Sequence, residues 1–490
     1  MKTAYLKIDT KRTVSHINPE IYGHFAEHLG RCVYHGIWVG KDSPIPNIDG
    51  YRRDIVDALR EIGVPVLRWP GGCFADEYHW RNGIGEHRAK TVNSIWGQVT
   101  EDNSFGTHEF FGLCELLGCK PYLAGNVGSG TVKELADWMQ YLTYPGDCDL
   151  ANERRANGRE APWKVDYLGI GNENWGCGGN MRPEFYADLF RQFANFARNY
   201  SGRTVNVACG PNSGDYAWTE TVMRNCTGDQ IGALSMHFYT VPTGVWEHKG
   251  DAVEFDDAEY YNTVANADQI EDRIIGHKHI MDKYDPAHKI GLIVDEWGCW
   301  YDAEPGTNGA FLYQQSTMRD AIITAMHLNC FNRHTDRIIM ANLAQTVNVL
   351  QAVLLTDGER LVKTPTWQVF RLFLPHHDAD LLECTAALPY LHENGRTVPQ
   401  ISYSVSTKDG RVFATVSNAS LTDACELLVD TDGMEIAGAE GRIITAEVHA
   451  RNDFDGNEPV HIAEFSAYSV KDGRLTVTVP PCSVISLALR

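Results

Sequence analysis

The sequence predicts a closed (β/α)8 TIM barrel followed by a C-terminal antiparallel β-sandwich of jelly-roll type, and two patterns support this. Over the first three quarters of the 490-residue chain, short apolar segments rich in β-forming residues alternate with longer segments of helical character. After about residue 375 the segments become short and partly alternating, with Asp-Gly pairs between them. Repeated strand–helix alternation is typical of parallel α/β barrels, and short strands separated by turn pairs are typical of antiparallel sheets.

Eight strand candidates support the barrel, each followed by enough chain for a helix and a loop. They are residues 21–25, 65–69, 121–127, 167–173, 205–210, 234–239, 290–297 and 338–345. One intervening segment shows the helix period clearly, because Tyr186, Phe190 and Phe193 share one face after Pro183, a residue suited to a helix start. A doubly wound open sheet is the alternative, but no Gly-x-Gly-x-x-Gly motif follows the first candidate strand.

The same patterns divide the chain into three parts. We expect residues 1–15 to form an N-terminal strand that joins the sandwich, residues 16–375 to form the barrel, and residues 376–490 to form the sandwich. Five strand candidates lie in the last part, at residues 401–406, 412–417, 425–429, 443–449 and 475–479.

Composition disfavours several classes of protein and partner. With 43% hydrophobic and 22% charged residues, the chain is typical of globular proteins and unlike a disordered one. The 64 acidic residues outnumber the 43 basic ones and give a net charge of −21, which disfavours binding to nucleic acid or to a membrane surface. Thirteen scattered cysteines, without a Cys-x-x-Cys pair or an apolar N-terminal segment, favour free thiols over a disulfide framework and predict a cytoplasmic protein.

Two glutamates stand at the ends of predicted barrel strands, where the loops of this fold carry reactive groups. Glu173 follows the fourth candidate strand, within Gly171-Asn172-Glu173-Asn174-Trp175, and Glu296 ends the seventh, within Val294-Asp295-Glu296-Trp297. Two facing carboxylates, one protonated and one ionised, are what retaining glycoside hydrolysis requires. A surface salt bridge would explain either residue alone, but their shared context favours catalysis.

These segments resemble the signature segments of family 51 glycoside hydrolases, the α-L-arabinofuranosidases. Three further segments, in the right order, are similar to the first, second and eighth barrel segments of that family. They are Ile21-Tyr22-Gly23-His24-Phe25-Ala26-Glu27-His28, Leu67-Arg68-Trp69-Pro70-Gly71-Gly72 and Ala344-Gln345-Thr346-Val347-Asn348. The resemblance extends over nearly the whole chain.

The resemblance implies a retaining exo-α-L-arabinofuranosidase with Glu173 as general acid/base and Glu296 as nucleophile. It also implies contacts to the sugar in the −1 subsite, the position of the sugar to be released, from Glu27, Asn172, Tyr239 and Gln345. Arg68 is expected near the nucleophile, where its charge helps to keep Glu296 ionised. This chemistry requires no metal or cofactor.

Four further residues have expected roles at the site. Cys73 falls where the family contacts a sugar hydroxyl, although a small buried thiol is nearly as good an explanation. His237 is expected to hydrogen-bond a catalytic carboxylate, against the alternative of a satisfied core histidine. Trp96 and Trp175 offer flat faces on which a sugar can stack.

The expected substrates are oligosaccharides derived from arabinoxylan or arabinan that carry terminal α-L-arabinofuranosyl groups. The resemblance also implies a homo-oligomer, since relatives often form hexamers.

Three other interpretations stay open. A retaining glycosidase of other specificity, such as an endo-glucanase or a xylosidase, would use the same two glutamates. His24, Glu27 and His28 match the His-x-x-Glu-His pattern of a zinc peptidase, although the motif follows a strand and zinc binding at this spacing needs a helix. A non-catalytic carbohydrate-binding protein is disfavoured because it has no need of both Glu173 and Glu296.

Overall fold

The computed structural model describes residues 1–226 and 228–490, and its centre is a closed barrel of eight parallel strands. The barrel strands are numbered first to eighth in their order along the sequence. They are Gly23–Phe25, Val66–Trp69, Lys120–Gly125, Tyr167–Ile170, Val205–Ala208, Ala233–Thr240, Gly291–Cys299 and Ile338–Ala344. Each overlaps one predicted segment, so the eight strand predictions are confirmed. The eighth strand pairs with the first and closes the barrel.

Helices connect the barrel strands. They are Arg53–Glu61, Thr107–Leu117, Val132–Thr143, Asp149–Ala156, Pro183–Phe196, Tyr216–Asn225, Asp257–Tyr284, Met318–Arg333 and Pro365–Phe373. The helix predicted after Pro183 begins at that residue and buries Tyr186, Phe190 and Phe193, as its period predicts. Within the described residues, none of these helices combines the length and hydropathy needed to cross a bilayer.

A ten-stranded sheet forms the rest of the molecule. Its strands are Lys2–Ile17, Ala379–Ala387, Ile401–Lys408, Arg411–Asn418, Cys425–Asp432, Ala439–Thr445, Ala463–Phe465, Tyr468–Lys471, Arg474–Val479 and Ser483–Leu489. Each of the five segments predicted here overlaps one of these strands, and the turns at Asp409-Gly410 and Asp472-Gly473 have positive φ at both residues, as tight hairpins require. Two-stranded ribbons complete the β-structure, at Asn47–Ile48 with Tyr51–Arg52, Thr91–Asn93 with Val99–Glu101, Leu354–Asp357 with Arg360–Lys363, and Tyr390–Glu393 with Arg396–Pro399.

The N-terminal strand joins this sheet, as predicted, but not in a purely antiparallel way. Lys2–Ile17 lies between Ala379–Ala387, to which it is antiparallel, and Cys425–Asp432, to which it is parallel. Because no hairpin connects it to either neighbour, its direction is not constrained by a turn.

The barrel and the sheet share a buried polar interface. Asn329, on the helix Met318–Arg333, donates from its side-chain nitrogen to Ser402 and accepts hydrogen bonds from Ser404 and Thr415. Asn329 is fully buried, and a buried polar group with all its partners present favours one docking geometry.

Candidate active site

The structure brings the ten residues predicted for the site together at the carboxyl ends of the barrel strands. Hydrogen bonds, ion pairs or sulfur contacts link Arg68, Cys73, Asn172, Glu173, His237, Tyr239 and Glu296, and a second group of hydrogen bonds joins Trp96 and Gln345 to Glu27, whose carboxylate senses the charge of Glu296. They come from the loops or ends of six different strands, so only the closed barrel unites them.

His237 lies between the two glutamates. Its Nδ1 is 2.8 Å from Oε1 of Glu173 and 3.7 Å from Oε2 of Glu296. One oxygen of each carboxylate lies within 4.8 Å of the other. The Glu173 side chain keeps 19% of its surface exposed whereas Glu296 keeps 7%, so Glu173 is the one better placed to exchange protons with solvent.

Glu296 is held by two strong donors. Nη1 of Arg68 donates to Oε1 at 2.7 Å, and the Tyr239 hydroxyl donates to Oε2 at 2.6 Å. Burial alone would raise the pKa of Glu296, but the positive charges of His237 and Arg68, together with these hydrogen bonds, outweigh burial and lower it. Glu296 is therefore kept ionised, as a nucleophile must be.

Arg68 is fixed by partners other than the nucleophile. Its Nη2 donates to Oδ1 of Asn172 at 2.6 Å, and its Nε lies 3.4 Å from Oδ2 of Asp295. Asp295 in turn accepts hydrogen bonds from Tyr122 and Asn342. The guanidinium thus has one orientation, set directly by residues after the fourth strand and on the seventh and, through Asp295, by the third and eighth strands.

The imidazole of His237 is more basic than an ordinary histidine. Burial alone would lower its pKa, but the neighbouring carboxylates of Glu296 and Glu173 raise it. His237 and Tyr239 are two residues apart on the sixth strand, so their side chains point the same way. That alternation places a hydrogen-bond donor against each of the two glutamates.

Glu27 is a further buried carboxylate, which lies beside Glu296 and has its own set of hydrogen-bond donors. Its Oε1 accepts from the backbone of Gly72, the backbone of Phe74 and the indole nitrogen of Trp96, and its Oε2 accepts from Gln345. Burial, with a contribution from the charge of Glu296, raises the pKa of Glu27 to about 7. Trp96 is therefore anchored through its nitrogen, with its half-buried ring beside the site.

Three buried polar atoms of the site have no hydrogen-bond partner among the described residues: Nε of Arg68, which faces the Asp295 carboxylate at 3.4 Å, Nδ2 of Asn172 and Oε1 of Gln345. Buried polar groups are nearly always paired, and Nε of Arg68 has the Asp295 carboxylate beside it, so the two amide atoms are the candidates for contacts to a ligand. One is a donor and the other an acceptor, which suits hydroxyl groups because a hydroxyl both donates and accepts.

Comparisons with known proteins identify the family of the chain. Models of the Alpha-L-arabinofuranosidase 1 domain and the Alpha-L-arabinofuranosidase C-terminal domain match residues 58–260 and 295–483. The chain is 48% identical to the intracellular exo-alpha-L-arabinofuranosidase of Bacteroides ovatus, over 100% of this chain and 96% of that protein. It superimposes on the GH51 arabinofuranosidase from Xanthomonas axonopodis pv. citri with a TM-score of 0.98, 43% identity and full coverage of both chains. The chain belongs to the GH51 α-L-arabinofuranosidase family.

A third relative agrees with this family membership. The arabinose complex of the Thermotoga maritima alpha-L-arabinofuranosidase superimposes with a TM-score of 0.87 and 30% identity, covering 99% of each chain. This member of GH51 is therefore a glycoside hydrolase, and the interpretation as a non-catalytic binding protein is not needed.

The zinc-peptidase interpretation of the first barrel segment of this GH51 enzyme is wrong. The ring of His24 packs on Phe370 and finds no hydrogen-bond partner within the described part of the chain, and burial lowers its pKa to about 3. His28 accepts from the indole of Trp69, and the Glu27 carboxylate accepts from Gln345, Trp96 and two backbone N–H groups. The motif runs along a strand and out of it, so its side chains diverge and do not share one helix face.

Cys73 lies at the site as predicted, but its sulfur is bonded to that of Cys177. It has no thiol hydrogen, and the expectation of free cysteines is wrong at this pair. The two cysteines are 104 residues apart, and no spacing pattern relates them. Only the position of Cys177 beside the glutamate motif hinted at a role.

Asp76 is a structural residue that the sequence did not single out. This buried carboxylate accepts the backbone N–H groups of Val127, Gly128 and Asn172, and so joins the loops after the second, third and fourth strands. Burial, the largest influence, raises its pKa to about 7 against these hydrogen bonds. Asn172 directly precedes Glu173, so Asp76 fixes the start of the turn that carries Glu173.

Gly72 leaves no room for a larger residue beside Glu296. A Cβ added there would lie 2.7 Å from Oε1 of Glu296 and 3.5 Å from Nδ2 of Asn172. We therefore expect Gly72→Ala to displace the Glu296 carboxylate and to lower kcat by about 100-fold, since displacements near 1 Å at reacting groups cost that much. The measurement is steady-state kinetics on an aryl arabinofuranoside, with circular dichroism to verify folding.

The matched control is Gly202→Ala, because a Cβ there meets only one atom, at 3.9 Å, on an exposed loop. It should leave kcat unchanged. Equal activity of both alanine variants would contradict the close approach of Gly72 to the nucleophile.

Proposed function

We propose that this GH51 enzyme releases terminal α-L-arabinofuranosyl groups from oligosaccharides with retention of configuration, through a covalent intermediate on Glu296. The observation that carries the proposal is the narrow gap between the two carboxylates, whose facing oxygens lie within 4.8 Å. Retaining glycosidases hold their carboxyl groups about 5–5.5 Å apart, whereas inverting ones need about 6.5–9.5 Å to admit a water. The gap favours direct attack by a carboxylate.

In the first step, an oxygen of the ionised Glu296 attacks the anomeric carbon while Glu173 gives its proton to the departing glycosidic oxygen. The carbon–oxygen bond to the aglycone breaks, and an ester bond to Glu296 forms. Arg68 and Tyr239 keep the attacking carboxylate oriented through its two oxygens. Glu173, which retains solvent exposure, is the group that can regain a proton for the next turnover.

In the second step, Glu173 acts as base. Once Glu296 is an ester it carries no charge, and His237 then faces a single carboxylate, that of Glu173, at 2.8 Å. The hydrogen bond from the basic imidazole stabilises the deprotonated Glu173 until it takes a proton from water. The resulting hydroxide equivalent attacks the anomeric carbon from the side that the aglycone left, and the ester bond to Glu296 breaks.

The released sugar is proposed to bind among Glu27, Asn172 and Gln345. The unpartnered nitrogen of Asn172 adjoins the nucleophile, which suits the sugar 2-hydroxyl, and the unpartnered oxygen of Gln345 accepts from another hydroxyl. A hydrogen bond to the 2-hydroxyl strengthens in the oxocarbenium-like transition state and therefore accelerates the reaction.

A row of three aromatic rings, Tyr239, Trp300 and Trp246, leads from this site toward solvent. We call this row the aromatic ledge, and it supports an oligosaccharide aglycone. The ring of Tyr239 contacts Trp300 edge-on at 4.8 Å, and Trp300 contacts Trp246 at 4.7 Å. Trp246 is 53% exposed, so its ring is accessible to a ligand at the outer end of this row. Flat apolar rings stack on the faces of sugars, so we assign this ledge to the aglycone.

A cytoplasmic location and a homo-oligomeric state belong to the same proposal. The Bacteroides ovatus relative is named as intracellular, which supports the location. The oligomeric state rests on the resemblance of the sequence to the family, which suggests a hexamer.

Replacing Glu296 with alanine should abolish nearly all turnover, because no other group in the gap can form the ester. Sodium azide should restore activity and yield the glycosyl azide of inverted configuration, since azide fills the space of the missing carboxylate. NMR of the product gives this configuration. Glu184→Ala, on an exposed helix surface, is the control and should keep full activity without azide. A Glu296→Ala protein that retained substantial turnover would rule out the nucleophile.

Replacing Glu173 with alanine should lower kcat/KM on natural linkages by about 10²–10⁴-fold, the usual contribution of a general acid. The first step on 2,4-dinitrophenyl arabinofuranoside should change little, because that leaving group needs no proton. Azide should here yield the product of retained configuration. Equal loss on both substrates would contradict the acid role.

A further inference from the structure

The Cys73–Cys177 disulfide lies directly against the carboxyl group assigned as acid/base. Sγ of Cys177 is 3.5 Å and Sγ of Cys73 is 3.8 Å from Oε2 of Glu173. The bond joins the loop after the second barrel strand to the loop after the fourth, which carries Glu173. The chemistry proposed above assigns no role to it.

The backbone of Glu173 needs such support. Its φ is +42°, in the left-handed region that residues other than glycine avoid at a cost of about 1–2 kcal/mol. Its carbonyl accepts the N–H groups of Gly176 and Gly178, which closes a tight turn around Cys177. The disulfide therefore links this turn covalently to Cys73. Asp76 holds the first residue of the turn by accepting a hydrogen bond from the Asn172 N–H.

The two oxygens of Glu173 have different surroundings. Oε1 faces the Nδ1 of His237, and Oε2 faces the two sulfurs. A disulfide has no hydrogen to donate, so Oε2 is the oxygen free to carry the catalytic proton. Two thiols in the same place would each offer an S–H donor, which favours the ionised form of the carboxylate and leaves fewer molecules with the proton that the acid must give.

The other titratable or charged groups around Glu173 do not change on reduction. They are His237 and Tyr239 on the sixth strand, Glu296 on the seventh, Cys209 after the fifth, and Arg68 on the second, which reaches the turn through Asn172. A change in the pH dependence on reduction is therefore attributable to the two sulfurs.

We propose that Cys73 and Cys177 are positioning residues for the acid/base, and that opening their disulfide weakens proton donation to poor leaving groups while sparing the nucleophile. This inference rests on the role proposed above for Glu173. Cys177 is exposed, so a small thiol can reach its sulfur. The thiolate attacks Sγ of Cys177, the S–S bond breaks, and Cys73 leaves as a thiolate that takes up a proton. A second small thiol then resolves the mixed disulfide, giving two protein thiols and one oxidised small-molecule disulfide.

The test compares the native enzyme before and after treatment with dithiothreitol, with thiols counted by alkylation and mass spectrometry. When two additional thiols are present, kcat/KM on a natural linkage should fall by about tenfold or more, because acid catalysis depends on sub-ångström placement. By contrast, kcat/KM on 2,4-dinitrophenyl arabinofuranoside should change less than twofold, because that leaving group needs no proton. The alkaline limb of the pH–rate profile should move to lower pH, and reoxidation should reverse these changes.

Two variants distinguish the effect of losing the covalent link between the two loops from the effect of gaining two S–H donors. Cys73→Ala/Cys177→Ala removes both, so its rate on the natural linkage should fall without the shift of the alkaline limb, and dithiothreitol should have no effect on it. Cys384→Ala, a half-buried cysteine of the ten-stranded sheet, is the matched control and should respond to reductant as the parent enzyme does.

The inference is overturned if the native disulfide resists small thiols, or if reduction leaves the ratio of the two kcat/KM values and the pH profile unchanged. Equal losses on both substrates with a lower Tm would indicate a structural role only. Failure of the proposed function is distinguishable, because Glu173→Ala would then keep its activity on natural linkages.

Discussion

The ion pair between Arg68 and Glu296 is the interaction on which the rest of the site depends. The two residues are 1% and 5% exposed, and an unpaired charge at that depth would be strongly unfavourable. Removing one partner of such a pair typically costs about 3–5 kcal/mol, because the other is left buried and uncompensated. The barrel must therefore supply both charges together, from its second and seventh strands.

The remaining polar residues follow from this requirement. Asp295 and Asn172 orient the guanidinium, and Phe25 covers its face with the ring centroid 4.4 Å away. The pKa of Glu27 is raised to about 7, so this neighbour adds less negative charge than an ordinary glutamate. His237 then balances what remains of the carboxylate charge. Glu296 stays ionised next to Glu173 because the positive groups are held in place by other residues.

Backbone packing sets how closely these groups approach each other. Gly72 gives the nucleophile its space, and Gly178 lets the turn after Glu173 fold back, since a Cβ at Gly178 would lie 1.9 Å from the Asn172 carbonyl. Asp76 satisfies three N–H groups of loops that would otherwise be buried without partners. The turn that carries Glu173 is thus built from contacts among three loops.

Local pattern was enough to predict the barrel and both glutamates, because each strand carries its own apolar run and each glutamate sits in its own motif. Pairings between distant segments were not predictable in this way. The bond between Cys73 and Cys177, the role of Asp76 and the parallel pairing of Lys2–Ile17 all depend on which loops and strands meet in space. The strand Ser483–Leu489 was missed because it is buried almost throughout and so lacks the alternation that marks a half-exposed strand.

The stereochemical course of the reaction tests the central claim most directly. When methanol intercepts the glycosyl-enzyme, the configuration of the methyl arabinofuranoside is fixed and NMR can determine it. A narrow carboxylate gap with Glu296 as nucleophile predicts the α-anomer as the first-formed product, because two inversions restore the starting configuration. First formation of the β-anomer would show a single displacement and would contradict the account.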